Sequence, residues 1–441
     1  MQVIDNMGAG RRSGARRGGA RGKAVVAVTT AMLCAVAAVP VAYSAAPTAD
    51  SAAAQADSGG DEAMARNLVQ RIQDPRLGTL VSGFVLDAKS DKVIWRHQDG
   101  ELLMPASNAK LFTSVAALAA LGPNHRFTTR VARDGDTLTL VGGADRTLTT
   151  SDLTRMARTV AEALSASGVT RVQVRIDDSL FPAPTLAEGW TDGYYPDSVA
   201  PVRALVVDGR PVMDTALDAG TEFARQLAAA GVEVVGEVTR GRAGRHTPTA
   251  AWHHSAPLSD IVRHMVKVSD NNIAETLLRA TALATGRPAT FEGGVAAVRS
   301  MLAERYGIDL TGVQLHDGSG LSRANRVPVT AIVKILDLLQ DRGRDPRLRP
   351  VLDGLPIAGE PGSTLGPEWG RFDDPDSSCA LGAVHAKTGT LTGAIALSGV
   401  TRGADGRWKV FSFVENKSTA APGAIKDAMD GLAATVNGCR Q

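Results

Sequence analysis

The sequence predicts a mixed α/β fold, and three observations support that class. Two candidate β-hairpins lie at 79–96 and 393–414, on either side of a long central region. Several segments carry apolar residues at helical spacing, and a middle block alternates candidate strands with candidate helices. The 441 residues are enough for about two or three domains, each with its own buried core.

The first ordered segment predicts a hairpin followed by a helix. Its strands are expected at Thr79–Leu86 and Lys92–Arg96, where apolar and β-branched residues flank a polar turn. A helix then begins after Pro105, because proline is favoured in a first helical turn, and it ends at Leu121 before Gly122.

The middle block is predicted to be an α/β unit, since strands and helices follow one another in turn. Its predicted elements are the strands Leu138–Val141 and Val172–Ile176, the helices Leu153–Ser167 and Phe223–Ala230, and the strand Val232–Val238. The following residues, 239–250, are rich in Arg, Gly and Thr and are predicted to be a loop.

The last part of the chain, from Leu258 onward, is predicted to form helices and then a second hairpin. Its closing helix is amphipathic, with Ile425, Met429, Leu432 and Val436 on one face. The other predicted elements are the helices Leu258–Lys267, Asn272–Ala284 and Val329–Leu339 and the strands Gly393–Val400 and Trp408–Val414.

Composition and charge are those of a soluble globular enzyme. Apolar residues make up 44% of the chain, charged residues 21% and aromatic residues 4%, which excludes disordered, collagenous and polytopic membrane proteins. The 48 basic and 46 acidic residues nearly balance, and six of the basic ones lie within the first 44 residues. The rest of the chain is therefore slightly acidic, and nucleic acid is not expected as a partner.

The N-terminal residues predict export. A basic cluster precedes Ala24–Ala42, which carries no charge. Small residues stand at Ala42, where this stretch ends, and at Ser44. This order is typical of a secretory signal peptide at 1–44, although residues 24–42 are also long enough to remain as a membrane anchor. In either case the protein is exported, and membrane contact is limited to this segment. Residues 45–65, rich in Ala, Ser, Asp and Gly, are predicted to be a flexible linker.

The cysteines allow a disulfide outside the leader. Cys34 lies within the leader, so Cys379 and Cys439 remain, either as two buried free thiols or as a bridge. An oxidising compartment favours the bridge. The histidines are scattered, apart from one adjacent pair, and we predict neither a metal site nor a cofactor.

Ser107 and Lys110 are candidate catalytic residues at the start of a predicted helix. Residues three apart share one helix face, so the hydroxyl and the amine can meet. Burial lowers the proton affinity of a lysine, which can then act as a base. The chain has 38 arginines and ten lysines, and only lysine can lose its proton in a protein. The alternative is a surface lysine on an amphipathic helix.

Ser269-Asp270-Asn271 lies in a short break between two predicted helices. Such a junction can present side chains into a cleft. Helix capping is the alternative, because Ser, Asp and Asn are common capping residues.

Lys387-Thr388-Gly389-Thr390 follows a short apolar strand. Gly389 lacks a side chain and would let a substrate backbone approach the strand, while Lys387 would supply a cation for a carboxylate. An exposed turn is the alternative.

The three motifs in this order are the signature of penicillin-binding proteins and class A β-lactamases. Their surroundings resemble the D-alanyl-D-alanine carboxypeptidase/endopeptidase family of class C penicillin-binding proteins, over roughly residues 66–436. The runs that carry this resemblance are 105–111, 269–275, 317–323 and 385–390, together with 177–179, 189–190 and 214–227.

The resemblance implies the penicillin-recognising serine-enzyme fold, in which helices flank both faces of an antiparallel sheet. The catalytic domain would comprise residues 66–126 and 251–441, and a smaller α/β domain would be inserted at 127–250. Lys110 and Ser269 are 159 residues apart, which is short for the larger members of the family, so the insert is expected to be reduced.

The resemblance also assigns roles in acyl transfer from peptidoglycan stem peptides. Ser107 would attack the carbonyl of the penultimate D-alanine, and Lys110 would take its proton. Ser269 would pass a proton to the departing D-alanine, and Asn271 would hold the substrate amide. The backbone N–H groups of Ser107 and Thr390 would form the oxyanion hole.

The family also suggests how the substrate carboxylate is bound. Lys387, Thr388 and Thr390 would receive it, with Gly389 between them. β-Lactams are then expected to be covalent inhibitors that acylate Ser107.

Two other functions remain open at this point. A β-lactamase would use the same machinery, but a class A enzyme needs a glutamate to activate the deacylating water, and no convincing glutamate motif lies in the interval. A non-catalytic cell-wall or β-lactam sensor would be favoured if a motif residue were missing, and none is.

Overall fold

The computed structural model describes residues 49–341 and 343–439. The predicted leader, residues 1–44, lies outside the described residues. In chain order the α-helices are α1 (Ala49–Arg71), α2 (Ala109–Leu121), α3 (Thr150–Ala166), α4 (Thr215–Ala229), α5 (Leu258–Val268), α6 (Asn271–Ala284), α7 (Phe291–Ser300), α8 (Val329–Gln340), α9 (Arg349–Asp353) and α10 (Pro422–Asn437). The strands are β1 (Leu80–Asp87), β2 (Val93–His97), β3 (Thr128–Asp134), β4 (Thr137–Val141), β5 (Arg171–Asp177), β6 (Glu233–Val234), β7 (Thr239–Arg240), β8 (Thr249–His254), β9 (His385–Leu391), β10 (Ala394–Arg402) and β11 (Trp408–Asn416).

The first sheet joins the two ends of the described chain. Its five strands have the order β2-β1-β11-β10-β9, and every neighbouring pair is antiparallel. Strand β9 lies at one edge and pairs with β10 in a register that sets Lys387 opposite Ser398 and Gly389 opposite Ala396. This edge carries the third motif.

Helices cover both faces of the first sheet, as the family resemblance implied. On one face, α2, α5, α6 and α8 form a large core with inward residues such as Leu86, Ala396 and Val410. On the other face, α1 and α10 pack against Val85, Leu397 and Phe413. The alternation of side chains along a strand divides the two cores in this way.

The second sheet is formed by residues 128–254, in the order β6-β5-β4-β3-β8, with β7 also paired to β5. Helices α3 and α4 pack on it and enclose a third core that includes Val174 and Phe223. Strands β3 to β7 lie within the predicted insert, 127–250, whereas β8 extends beyond it to His254. The domain boundaries and the reduced size of that insert stay predictions.

The predicted linker at 45–65 is wrong over its described residues, because α1 begins at Ala49. Alanine, which is common there, has the highest helix propensity. The C-terminal half of α1 also carries Met64 and Leu68, and Ile72 follows directly after the helix at the same spacing; all three are buried against the core beneath α10.

The predicted strand Val232–Val238 is also wrong. Gly236 has a φ of 75° and turns the chain, so that two short strands, β6 and β7, form on either side of it. The predicted loop at 239–250 contains β7 and the first residues of β8.

The structure contains a disulfide between Cys379 and Cys439, with a Cα–Cα distance of 5.8 Å. Cys379 lies in a short 3₁₀ turn ahead of β9, and Cys439 follows α10. The bridge therefore ties the last helix to the segment that leads into the third motif.

Among the described residues, no helix combines the length and the apolar character that crossing a bilayer requires.

Candidate active site

Ser107 lies in a 3₁₀ turn, Ala106–Asn108, that leads directly into α2. Ala106 has a φ of 46°, an uncommon value for a residue with a side chain. Two glycines make room for this turn. A Cβ atom on Gly320 would lie 1.9 Å from the Ala106 carbonyl oxygen, and one on Gly389 would lie 2.9 Å from the Pro105 carbonyl oxygen. The turn is thus held between the 317–322 loop and strand β9.

Lys110 is completely buried one helical turn after Ser107. Its Nζ donates to Ser107 Oγ at 3.0 Å, to Asn271 Oδ1 at 2.7 Å and to the Ser319 carbonyl oxygen at 2.7 Å. Burial lowers the pKa of the ammonium to about 8, although nearby carboxylates, Asp317 foremost, act in the opposite direction. A neutral fraction of about a tenth is therefore available at pH 7, and it grows as pH rises, so this amine can act as a general base.

The second motif combines capping with site contacts. Asp270 caps α6, since its Oδ1 accepts from the backbone N–H of Ile273 at 2.8 Å. Ser269, at a φ of 62°, ends α5, and its Oγ accepts from Lys387 Nζ at 2.9 Å. Asn271 accepts from Lys110 through its oxygen. The motif therefore serves both as a helix cap, through Asp270, and as part of the site, through Ser269 and Asn271.

The third motif lies inside β9. Lys387 is completely buried, and its Nζ donates to Ser269 Oγ and to the Thr388 carbonyl oxygen at 2.8 Å. Burial, followed by the charge of Lys110, lowers the pKa of Lys387 well below its usual range. The missing side chain of Gly389 makes room for the Ser107 turn, whereas the sequence predicts that it makes room for a substrate backbone.

A cavity of about 270 Å³ joins the motifs. Sequence reasoning had singled out five of its lining residues, namely Ser107, Ser269, Asn271, Thr388 and Thr390. The two residues predicted to supply oxyanion-hole N–H groups, Ser107 and Thr390, thus share one cavity. The two motif lysines do not line the cavity but are hydrogen-bonded to residues that do. Lys110 donates to Ser107 and Asn271, and Lys387 donates to Ser269.

The rest of the wall was not predicted as part of the site. It consists of Val268, Leu321, Thr364, Trp369, Arg371 and Lys426. Two of these residues had a signal in the sequence: Leu321 belongs to the 317–323 run, and Lys426 is one of ten lysines in an arginine-rich chain. The segment 364–371 carries no motif, and folding alone brings it to the cavity.

Two buried carboxylates support the site from behind. Glu275 accepts from the backbone N–H groups of Gly318 and Ser319, at 3.1 and 2.7 Å, and burial raises the pKa of this carboxyl to about 7. Asp317 accepts from Trp190 Nε1 at 2.8 Å and from Gly320 N at 3.0 Å. These bonds fix the loop whose Ser319 carbonyl accepts from Lys110.

No group of three or more His, Cys, Asp or Glu side chains within 49–341 and 343–439 is arranged to hold a metal ion.

Similarity to known proteins agrees with the fold and the motifs. A protein from Mycolicibacterium smegmatis, named carboxypeptidase DacB, is 34% identical over an alignment of 402 residues, and the alignment covers 85% of this chain and 84% of the relative. A D-alanyl-D-alanine carboxypeptidase of Actinomadura sp. is 32% identical over 455 residues, with 81% of this chain and 82% of the relative covered.

Solved structures confirm the predicted fold class. Penicillin binding protein 4 (dacB) from Haemophilus influenzae superposes with a TM-score of 0.71 at 23% identity, over 84% of this chain and 98% of that one. The profile of the D-Ala-D-Ala carboxypeptidase 3 (S13) family matches residues 64–215 and 209–436. The resemblance inferred from the motifs is thereby confirmed, and the chain belongs to the D-Ala-D-Ala carboxypeptidase 3 (S13) family.

Proposed function

We propose that this protein is an exported serine-type D-alanyl-D-alanine carboxypeptidase that acts on peptidoglycan stem peptides and is acylated by β-lactams. The observation that carries the proposal is the 3.0 Å hydrogen bond between Lys110 Nζ and Ser107 Oγ, made by a buried lysine whose pKa is lowered to about 8. The disulfide supports the exported location, because such bridges persist in oxidising compartments.

Acylation begins when Ser107 Oγ attacks the carbonyl carbon of the penultimate D-alanine. Neutral Lys110 takes the hydroxyl proton as the new C–O bond forms. Backbone N–H groups of Ser107 and Thr390 stabilise the negative oxygen of the tetrahedral intermediate. The C–N bond then breaks as Ser269, hydrogen-bonded to Lys387, delivers its proton to the leaving amine. The proton that Lys110 took from Ser107 then returns to Ser269, so that Lys110 is neutral again.

Deacylation restores the enzyme. A water molecule attacks the ester carbonyl and loses its proton to Lys110. The C–O bond to Ser107 then breaks as Lys110 returns this proton to Ser107 Oγ, and the shortened peptide leaves with a free carboxylate. Asn271 holds the substrate amide throughout, and the hydroxyls of Thr388 and Thr390 bind the terminal carboxylate of the substrate.

The composition of the cavity wall favours a penicillin-binding enzyme over a β-lactamase. Among the described residues, the cavity lining includes no carboxylate. Glu275 is buried and occupied by backbone N–H groups, so it does not face the cavity as the base for a deacylating water. A long-lived β-lactam adduct is therefore expected.

Mass spectrometry of the purified protein with benzylpenicillin tests the proposal. We expect one adduct per chain on the peptide that contains Ser107, and release of D-alanine from an acyl-D-alanyl-D-alanine peptide. Ser107→Ala is expected to abolish both while the melting temperature stays close to that of the wild type. Ser114→Ala is the matched control, because it removes a buried hydroxyl from α2, the helix that follows the Ser107 turn.

Each alternative function gives a different result in this experiment. Rapid hydrolysis of the penicillin without a lasting adduct would indicate a β-lactamase. Absence of both an adduct and D-alanine release would indicate a sensor.

A further inference from the structure

Lys426 brings a positive charge to the cavity from an element that carries none of the three motifs. It lies in the first turns of α10, it is half-buried, and it lines the same cavity as Ser107, Thr388 and Thr390.

The charge of the other lining cation, Arg371, is already balanced. Its guanidinium makes two hydrogen bonds to the carboxylate of Asp430, the one from Nε at 2.9 Å, and both side chains are buried. The same carboxylate accepts from the backbone N–H of Phe372 at 3.0 Å. Arg371 therefore shapes the wall and adds little net charge.

Lys387, the cation that the sequence assigned to the substrate carboxylate, is also occupied. Its ammonium is completely buried and donates to Ser269 Oγ and the Thr388 carbonyl oxygen. This arrangement suits proton delivery through Ser269 better than direct contact with a substrate anion.

Lys426 differs from both in having no partner. Across residues 49–341 and 343–439, its ammonium makes no hydrogen bond and no ion pair within 4.0 Å. Burial and the neighbouring charge of Arg371 lower its pKa, with Asp430 and Asp427 opposing them. An unpaired, half-buried ammonium is unfavourable unless an anion joins it, and the wall offers none.

We infer that Lys426 is a specificity residue that binds the free carboxylate of the substrate, together with the hydroxyls of Thr388 and Thr390. The same contact would bind the ring carboxylate of a penicillin. This inference rests on the proposed function. It makes Lys426, rather than Lys387, the cation that contacts the substrate carboxylate directly.

Paired probes that differ only in charge test the inference. Acylation of Ser107 by benzylpenicillin and by benzylpenicillin methyl ester is timed by mass spectrometry, and the second-order rate constants are compared. In Lys426→Gln the rate for the acid is expected to fall on the order of tenfold, because one charge-assisted contact is lost. The rate for the ester is expected to change less than twofold.

Two further variants separate charge from structure. Lys426→Arg keeps the cation and is expected to recover most of the preference for the acid. Lys89→Gln removes one positive charge from the exposed turn between β1 and β2. This turn lies at the edge of the sheet opposite β9, so both rates are expected to stay unchanged.

Equal losses for acid and ester in Lys426→Gln, or no loss for either, would overturn the inference and leave Lys426 a structural residue. Failure of the proposed function is distinguishable, because the wild type would then form no adduct on Ser107 with either probe.

Discussion

Lys110 and Lys387 are two completely buried lysines whose charges repel each other within one site. The charge of Lys110 lowers the pKa of Lys387 further, after burial, whereas nearby carboxylates favour the charged form of Lys110. Each Nζ also contacts a different serine, Ser107 or Ser269. The site therefore contains two Lys–Ser pairs, one suited to accept a proton and the other to deliver one.

The lowered pKa of Lys110 gives acylation a characteristic pH dependence. The base is the neutral amine, and its fraction grows as pH rises through a pKa of about 8. The second-order rate of acylation by benzylpenicillin is therefore expected to rise between pH 6.5 and 9 with a midpoint near that value. Stopped-flow measurements over this range, in buffers of constant ionic strength, provide the check.

Lys110→Arg is the control for this profile, because arginine keeps the charge but cannot serve as the base. We expect its rate to be lower by about 10²–10⁴-fold and to lack the rise with pH. A variant that kept the same pH profile as the wild type would show that another group titrates.

At the residue level, sequence alone located the chemistry but not the whole cavity. Ser107, Ser269 and Thr390 stand in short motifs, in which local spacing carries the information. Trp369 and Lys426 reach the same cavity from distant segments, and no spacing relates them to Ser107. The position of Lys426 depends on how α10 packs on the sheet, and that of Trp369 depends on the path of the 364–371 segment; a local pattern specifies neither.

Strand β9 contributes to the site through its close approach to the Ser107 turn. A Cβ on Gly389 would lie 2.9 Å from the Pro105 carbonyl oxygen and 3.1 Å from Ala106 Cβ, so the strand or the turn must move. Gly389→Ala is therefore expected to slow acylation on the order of 10²-fold if the shift approaches 1 Å, and to destabilise the fold by about 1–3 kcal/mol.

Acylation kinetics and urea unfolding of the same samples test the prediction. Gly100→Ala is the matched control, because no atom lies within 4 Å of its added Cβ. Wild-type acylation by Gly389→Ala would mean that the site does not depend on this contact.

Some elements escaped prediction because tertiary packing, rather than local pattern, forms them. Helix α7 contains Gly293 and Gly294, which lower helix propensity. A Cβ on Gly294 would lie 2.4 Å from Leu278 Cγ, so this glycine permits the close packing of α7 on α6. Strand β8 is an edge strand in which only Ala251 is buried, so it shows no apolar alternation.

The disulfide links α10, which carries Lys426, to the segment before β9. Cys379 and Cys439 are separated by 60 residues, for which the chain-entropy model gives roughly 4 kcal/mol of stabilisation. Replacing both cysteines with serine is expected to lower the free energy of unfolding by an amount of that order, as measured in urea. Ser107 is expected to remain reactive, since neither cysteine contacts it.

A thiol count on unfolded, unreduced protein is the direct check of the bridge. No free thiol, together with a cross-linked peptide in a digest, is the expected result. Two free thiols in freshly exported protein would contradict it.

At the scale of the whole molecule, the predicted insert and the catalytic core are not separate in their packing. Phe181, Trp190 and Val199 lie in the core beneath the first sheet, although all three fall within 127–250. The Ser198 carbonyl oxygen also accepts from Asn271 Nδ2 at 2.8 Å. This stretch has little regular secondary structure, so periodicity could not assign it to the catalytic side.

A buried charge cluster joins α1 to the first sheet. Lys409 of β11 is completely buried, and its Nζ donates to Asp61 of α1, Asp87 of β1 and Asp405, at 2.8, 2.9 and 2.7 Å. Arg407 adds a second cation. Burial raises the pKa of Asp87, but hydrogen bonds from Lys409 and Ser90 outweigh it and lower the value to about 2.

Lys409→Met is therefore expected to destabilise the whole fold, because, among the described residues, it leaves Asp61, Asp87 and Asp405 with only Arg407 and the largely exposed Lys92 as neighbouring cations. Removing one partner from a buried ionic group typically costs about 3–5 kcal/mol, measurable by urea unfolding at pH 7. Lys92→Met is the matched control. Lys92 approaches Asp61 at 3.4 Å from a side chain that is 53% exposed, and such surface pairs contribute about 0–1 kcal/mol.

Acid unfolding gives the same cluster a second, independent signature. A carboxyl whose pKa is lower in the folded state stabilises the protein above the unfolded pKa, and this contribution disappears as pH falls through the folded value. For Asp87 the loss therefore occurs between about pH 4 and pH 2 in the wild type. Without Lys409 the folded pKa rises, so the acid-unfolding midpoint of Lys409→Met is expected at a higher pH than that of Lys92→Met. Identical midpoints for the two variants would show that Lys409 does not hold these carboxylates ionised, and that apolar packing alone joins α1 to the sheet.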